Sequence, residues 1–112
     1  MPLDLDDLQS FFASEPIYDE SDVPWEYSGV ACRFVTAQDD VSCRLAPGQG
    51  ELTLMWSQGG LKRLELSLDN LFLMKIESQS GIERLVAIPE DSTRQPFVLQ
   101  LRPHVFVALG SV

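Results

Sequence analysis

The chain has 112 residues, 45% of them hydrophobic and 22% charged, which suits one ordinary folded domain built on one core. Its net charge is −9, which argues against nucleic acid and anionic membrane as direct partners, because phosphate needs a basic face. No apolar run approaches the roughly 20 residues that span a bilayer. The acidic start Met1-Pro2-Leu3-Asp4-Leu5-Asp6-Asp7 also lacks the positive region of a secretory signal, so the sequence reads as cytoplasmic.

Residues 4–13 have the pattern of a helix. Asp4 is placed to cap it, Asp7 follows three positions later, and Leu5, Leu8, Phe11 and Phe12 share one face. Pro16 forces an exit, because the residue before a proline is driven out of helical geometry. Residues 14–24 form an acidic connector broken by Ser14, Pro16, Ser21 and Pro24, predicted to run extended over the surface.

From Trp25 the period becomes two. Val30, Cys32 and Phe34 alternate with Ala31, Arg33 and Val35; after a turn at Gln38-Asp39-Asp40, Val41, Cys43 and Leu45 alternate with Ser42 and Arg44. Pro47-Gly48-Gln49-Gly50 breaks the chain. Leu52, Leu54 and Trp56 make the next strand, Gly59-Gly60 turns it, and Leu64, Leu66 and Leu68 return. Beyond a tight reversal at Asp69-Asn70, Phe72, Met74 and Ile76 take one face. Ser80-Gly81 turns the chain into Ile82–Ile88, and two last strands carry Phe97, Leu99, Leu101 and then Val105, Val107, Leu109. Leu71, Leu73, Val98, Phe106 and Ala108 fall on the opposite face and are expected to be covered by the helix and a second sheet. The fold class is therefore mainly β: an antiparallel sandwich or open barrel of about eight strands with one N-terminal helix. Residues 1–112 read as a single domain, with an acidic helix and connector over 1–24 and the β core over 25–112.

Chemistry-bearing patterns are scarce. His104 follows Pro103 in a predicted turn and reads as an exposed turn residue. One histidine and two cysteines fall short of a zinc site, and the acid clusters lack the glycine turn and closing Glu of a calcium loop. Gly48-Gln49-Gly50 leads into a strand, not into the helix N-terminus of a phosphate cradle, and no G-x-S-x-G elbow occurs. Cys32 and Cys43 read as small core residues with free thiols; a disulfide would need them to face each other across neighbouring strands. No catalytic residue, cofactor or metal is assigned, and the chain is read as a non-enzyme.

The charge is lopsided. Residues 1–40 hold ten acids against one base, Arg33, a net of −9, whereas 41–112 hold seven of each. Tyr18, Trp25 and Tyr27 lie among Asp19, Glu20, Asp22 and Glu26, a mixture that suits docking of a basic protein: aromatics anchor and acids pair with Lys or Arg. Asp39 and Asp40 complete this predicted partner-binding set.

The run from Asp40 to Glu77 alternates polar and apolar residues, carries Trp56 and ends in the apolar strand Leu71 to Ile76. With the acidic first third, it resembles the small β-rich immunity proteins that bacteria keep beside polymorphic or contact-dependent toxins. The resemblance covers about a third of the chain and is one of style, without a specific motif. It implies a tight, stoichiometric inhibitor that covers the active site of a cognate toxin, often a basic nuclease. Two alternatives stand beside it. One is an oligomeric adaptor, such as a homodimer joined through edge strands or the 71–73 face. The other is a small-ligand domain with a pocket between sheets lined by Trp56, Phe72 and Phe97.

Overall fold

The computed structural model describes residues 3–18 and 22–109. Helix α1 (Leu5–Phe12) is capped by Asp4, whose carboxylate accepts from the Asp7 backbone N–H at 2.8 Å, while the Asp7 carboxylate accepts from the Asp4 N–H at 3.3 Å. This reciprocal pair satisfies donors that the first turn leaves without a helical partner. Ala13, in the left-handed region at φ 55, ends the helix. At that end Arg102 Nη2 donates to the carbonyl oxygens of Phe11 (2.7 Å) and Ser10 (3.3 Å), and its guanidinium lies over the Phe34 ring. Leu8, Phe11 and Phe12 are buried, as their spacing requires.

Two antiparallel sheets follow, with nine strands among the described residues. The first is ordered β1 (Ile17–Tyr18), β2 (Val30–Val35), β3 (Asp39–Ala46), β4 (Glu51–Gln58), β5 (Leu61–Leu68). The second is ordered β6 (Leu71–Gln79), β7 (Ile82–Pro89), β8 (Phe97–Gln100), β9 (Phe106–Leu109). Neither sheet crosses over itself, and the two share no strand, so the architecture is a sandwich and not an open barrel.

Register explains the core. Across β2 to β5, Val30, Leu45, Leu52 and Leu68 stand side by side; so do Cys32, Cys43, Leu54 and Leu66, and then Phe34, Val41, Trp56 and Leu64. All twelve face the second sheet or pack at the margin of the same core, which Leu85, Ala87, Phe97 and Leu99 complete from the other side. A slip of one residue would turn a whole strand inside out, so this alternation pins the register. Gly59 (φ 58) and Gly60 (φ 81) form the two-residue β4–β5 turn, whose positive φ values match the twist of a tight hairpin.

Four expectations are corrected. Trp25 does not begin a strand: Trp25–Ser28 is a single helical turn, α2, because the Pro24 carbonyl accepts from Tyr27 (3.0 Å) and Ser28 (3.1 Å) and Gly29 stops the turn at φ 95. The 36–40 reversal ends earlier than expected. Thr36 Oγ1 accepts from the Gln38 and Asp39 N–H groups, so Asp39 already belongs to β3. Asp69-Asn70 carries the chain from one sheet to the other instead of reversing it within one. Finally, an irregularity between Leu71 and Leu73 turns Leu71 into the core and leaves Phe72 73% exposed. Leu73, Val98, Phe106 and Ala108 then lie on the outer face of the second sheet, where Val98 is buried and Phe106 is exposed.

Phe72 and Phe97 make a direct test of this arrangement. Phe97 is 1% exposed, so Phe97→Ala should cost about 3–5 kcal/mol in urea unfolding. Phe72→Ser should stay within about 0.5 kcal/mol of the parent. Equal costs would contradict the inward turn of Leu71.

Candidate functional site

The residues predicted to bind a partner separate into two groups. Tyr18 pairs with Val30 at the start of β2, and Asp40 pairs with Val35 at its end. Five residues of extended chain, about 16 Å, lie between them. Asp19 and Glu20 lie outside the described residues; Asp22 is exposed.

At the first end, α2 is held by its surroundings. Trp25 packs against the core, so its indole serves folding first. Tyr27 is 51% exposed. Its ring covers Gly48, where any side chain would begin 2.7 Å from the ring carbons, and Gln49 Nε2 donates to the Tyr27 carbonyl at 2.7 Å. The aromatic is thus fixed in place yet open to solvent, and Glu26 is half-buried beside it.

At the other end, both aspartates have internal partners. One carboxylate oxygen of Asp39, Oδ1, accepts from Trp56 Nε1 (3.0 Å) and Gln58 Nε2 (3.2 Å) and ties β3 to β4. Asp40 and Arg33 form a two-pronged ion pair, at 2.6 and 2.9 Å. The hydrogen bonds from Arg33 hold the Asp40 carboxyl below its ordinary value, and the same contact raises the Arg33 pKa. Both groups are well solvated, so the pair adds little to stability.

Between the two ends lies a surface that periodicity alone did not single out. The outer face of the first sheet carries one row of Ile17, Ala31, Arg44, Thr53 and Ser67, and a second of Arg33, Ser42, Met55 and Glu65. Ala31, Ser42, Thr53 and Ser67 are small, so the middle of the face is low. The segment Ser14–Ile17 walls one side, fastened by a hydrogen bond from Ser14 Oγ to the Arg33 carbonyl. The result is an open hollow of about 670 Å³. A second hollow of about 320 Å³, lined by Tyr27, Gln49 and Glu51 among others, adjoins it, and both are bordered by Arg44 and Thr53. The small polar residues on the outer positions of β2 to β5 were the available signal for this surface.

The three residues expected to line a pocket between the sheets do not come together: Phe97 is buried in the core, Trp56 packs half-buried against it, and Phe72 faces outward. Cys32 and Cys43 do face each other across β2 and β3 and are free thiols. Burial pushes the Cys32 thiol from 9.0 up to about 12. Burial first, and the neighbouring Cys32 second, push Cys43 higher still. Among the described residues, no group of three or more His, Cys, Asp or Glu side chains comes together to hold a metal ion, and His104 is exposed.

No family model and no curated protein matches the chain. Among solved structures it is similar to a chain of the contact-dependent growth inhibition toxin–immunity protein complex from Klebsiella pneumoniae 342, with a TM-score of 0.82 at 18% identity. The match covers 99% of this chain and 96% of that one. At that identity the shared property is the fold.

Two measurements check the side-chain roles above. Asp39→Ala should lower stability by about 1–2 kcal/mol, because it leaves the Trp56 and Gln58 donors without their acceptor; an unchanged unfolding midpoint would return Asp39 to a purely surface role. The buried thiols should resist a thiol reagent at pH 8 in the native protein and react fully in denaturant. Because folding raises their pKa, the unfolded chain ionises first. Their contribution to stability is therefore complete below pH 9.0 and is lost as pH rises toward about 12.

Proposed function

We propose that this chain is an immunity protein that neutralises a cognate toxin by binding it, without catalysis. The likeness over nearly the whole of both chains to a member of a toxin–immunity pair carries the reading. Of the two roles in such a pair, the inhibitor's fits better. The one histidine is an exposed loop residue, and the two thiols are buried and held neutral, so neither is poised as a nucleophile or general base. Free thiols also suit a reducing compartment, which agrees with a cytoplasmic site of action.

Charge supports a basic partner. Arg33, Lys62 and Lys75 are paired with Asp40, Glu65 and Glu77. Arg44, Arg94 and Arg102 donate to backbone carbonyls. The bases are thus largely engaged within the chain, while Asp4, Asp6, Glu15, Asp22, Glu26 and Glu51 have no cation within 4.0 Å among the described residues. The field that reaches an approaching molecule is negative and steers a basic one. We assign that encounter to the predicted set Tyr18, Asp19, Glu20, Asp22, Glu26 and Tyr27, with Trp25 as their support; of these, Tyr18, Asp22 and Tyr27 are exposed and Asp19 and Glu20 lie outside the described residues.

The outer face of the second sheet favours a second reading, self-association. It presents Phe106, exposed, and the half-buried Leu73 and Ala108, with the exposed Phe72 beside them; Val86 and Val98 are buried within it. Against it, each copy carries −9, so two copies repel before any apolar contact forms. A sedimentation experiment at low and high salt decides between monomer and dimer.

The test of the main reading is co-expression with the product of the neighbouring gene, chosen as the candidate toxin and first shown to arrest growth alone. Growth should be restored and a one-to-one complex recovered; cells that stop growing with or without this chain would overturn the reading. Reversing Asp19, Glu20, Asp22 and Glu26 to Lys should slow association by roughly ten-fold or more at low salt, with dissociation little changed. An association rate independent of salt would remove the steering role.

A further inference from the structure

The acidic strip accounts for how a partner arrives. The hollow on the outer face of the first sheet bears on what holds it there. Its floor is set by four small side chains, and its apolar contacts are Ile17, 75% exposed, and Met55, 42% exposed. A row of five strands makes it roughly 19 Å wide, at about 4.8 Å per strand. That breadth accepts an extended segment or a hairpin tip more readily than a small molecule.

The charges in the hollow are unequal in their needs. Arg33 is matched by Asp40, and Glu65 by Lys62; Glu15, on the wall of the hollow, has no cation within 4.0 Å among the described residues. Arg44 has no carboxylate within 4.0 Å among the described residues. Its one hydrogen bond runs from Nη2 to the Ser28 carbonyl at 2.9 Å. The guanidinium lies across Gly29, where a Cβ would meet Nη2 at 2.8 Å. Gly29 also sits at φ 95, which side chains other than hydrogen rarely adopt. Backbone and side chain thus hold Arg44 on the boundary of both hollows with its charge unmatched.

Any protein that covers this face takes that guanidinium out of water. An unmatched buried charge is strongly unfavourable, whereas a bidentate carboxylate repays much of the loss. We propose that the outer face of the first sheet is the surface that retains the toxin, and that the toxin seats there an acidic side chain on Arg44 beside an apolar one over Ile17 and Met55. This rests on the immunity reading. It differs from the encounter surface in what it controls: Arg44 governs dissociation, and the acidic strip governs association.

Two variants test it, with the growth-arresting protein identified by the co-expression experiment as the probe. Arg44→Ala removes the anchor; Ser42→Trp fills the hollow and leaves Arg44 in place. Both positions are exposed, and each variant's unfolding midpoint should match the parent's within error. The expected result is dissociation faster by roughly 30-fold or more for Arg44→Ala. Arg44→Lys should give an intermediate rate, and Ser42→Trp a comparable or larger loss of binding. Alanine replacement of each toxin Asp and Glu should then reveal one whose effect is non-additive with Arg44→Ala. Dissociation within two-fold of the parent for both variants, while the parent binds tightly, overturns this surface and leaves the immunity reading standing. Additive effects at every toxin carboxylate overturn the acidic contact. A parent chain that does not bind the toxin at all overturns both.

Discussion

Everything in this molecule depends on the register of the first sheet. Three inner rows, running from Val30 to Leu68, from Cys32 to Leu66 and from Phe34 to Leu64, must all face inward together. Each strand has a period of two, so fixing the inner rows also fixes what stands on the outer face. The core therefore decides where Arg44, Met55 and Ser42 are displayed. Packing and recognition are two sides of the same strands, and a substitution that moves the register would lose both.

Charge is organised on a different plan. Most bases are engaged locally, by an ion pair or by a carbonyl, while Asp4, Asp6, Glu15, Asp22 and Glu26 have no cation within 4.0 Å among the described residues. Exposed ion pairs contribute little to stability, so the engagement of Arg33, Lys62 and Lys75 matters more for the field around the molecule than for its folding. On the proposed reading, the division between a long-range field and a short-range hollow would separate how fast a partner arrives from how long it stays.

Much of the β architecture was legible in the residues. The alternation from Val30 to Leu68 and from Phe97 to Leu109 names the inner face almost position by position, and Asp4 with Asp7 announces the helix start. Three features were hidden because tertiary contacts decide them. Trp25–Ser28 resembles the beginning of a strand, yet Pro24 and Gly29 close it into a turn. The irregularity at Phe72 exchanges which neighbour is buried, and no local signal marks it. The candidate site suffered most. Acids and aromatics draw the eye in a sequence, while the hollow is made by Ala31, Ser42, Thr53 and Ser67, residues notable for being small. Asp39 and Asp40 read as partner-binding acids in the sequence, whereas Trp56, Gln58 and Arg33 engage them within the fold.

The clasp between Arg102 and the carbonyl end of α1 joins residues 91 positions apart in the chain. The helix is therefore closed by a group that lies far along the chain. Until Arg102 has been made and the strands around it have folded, those carbonyls have only water to bond, and the helix end lacks this clasp. Consolidation of the acidic end thus waits on the assembly of the second sheet.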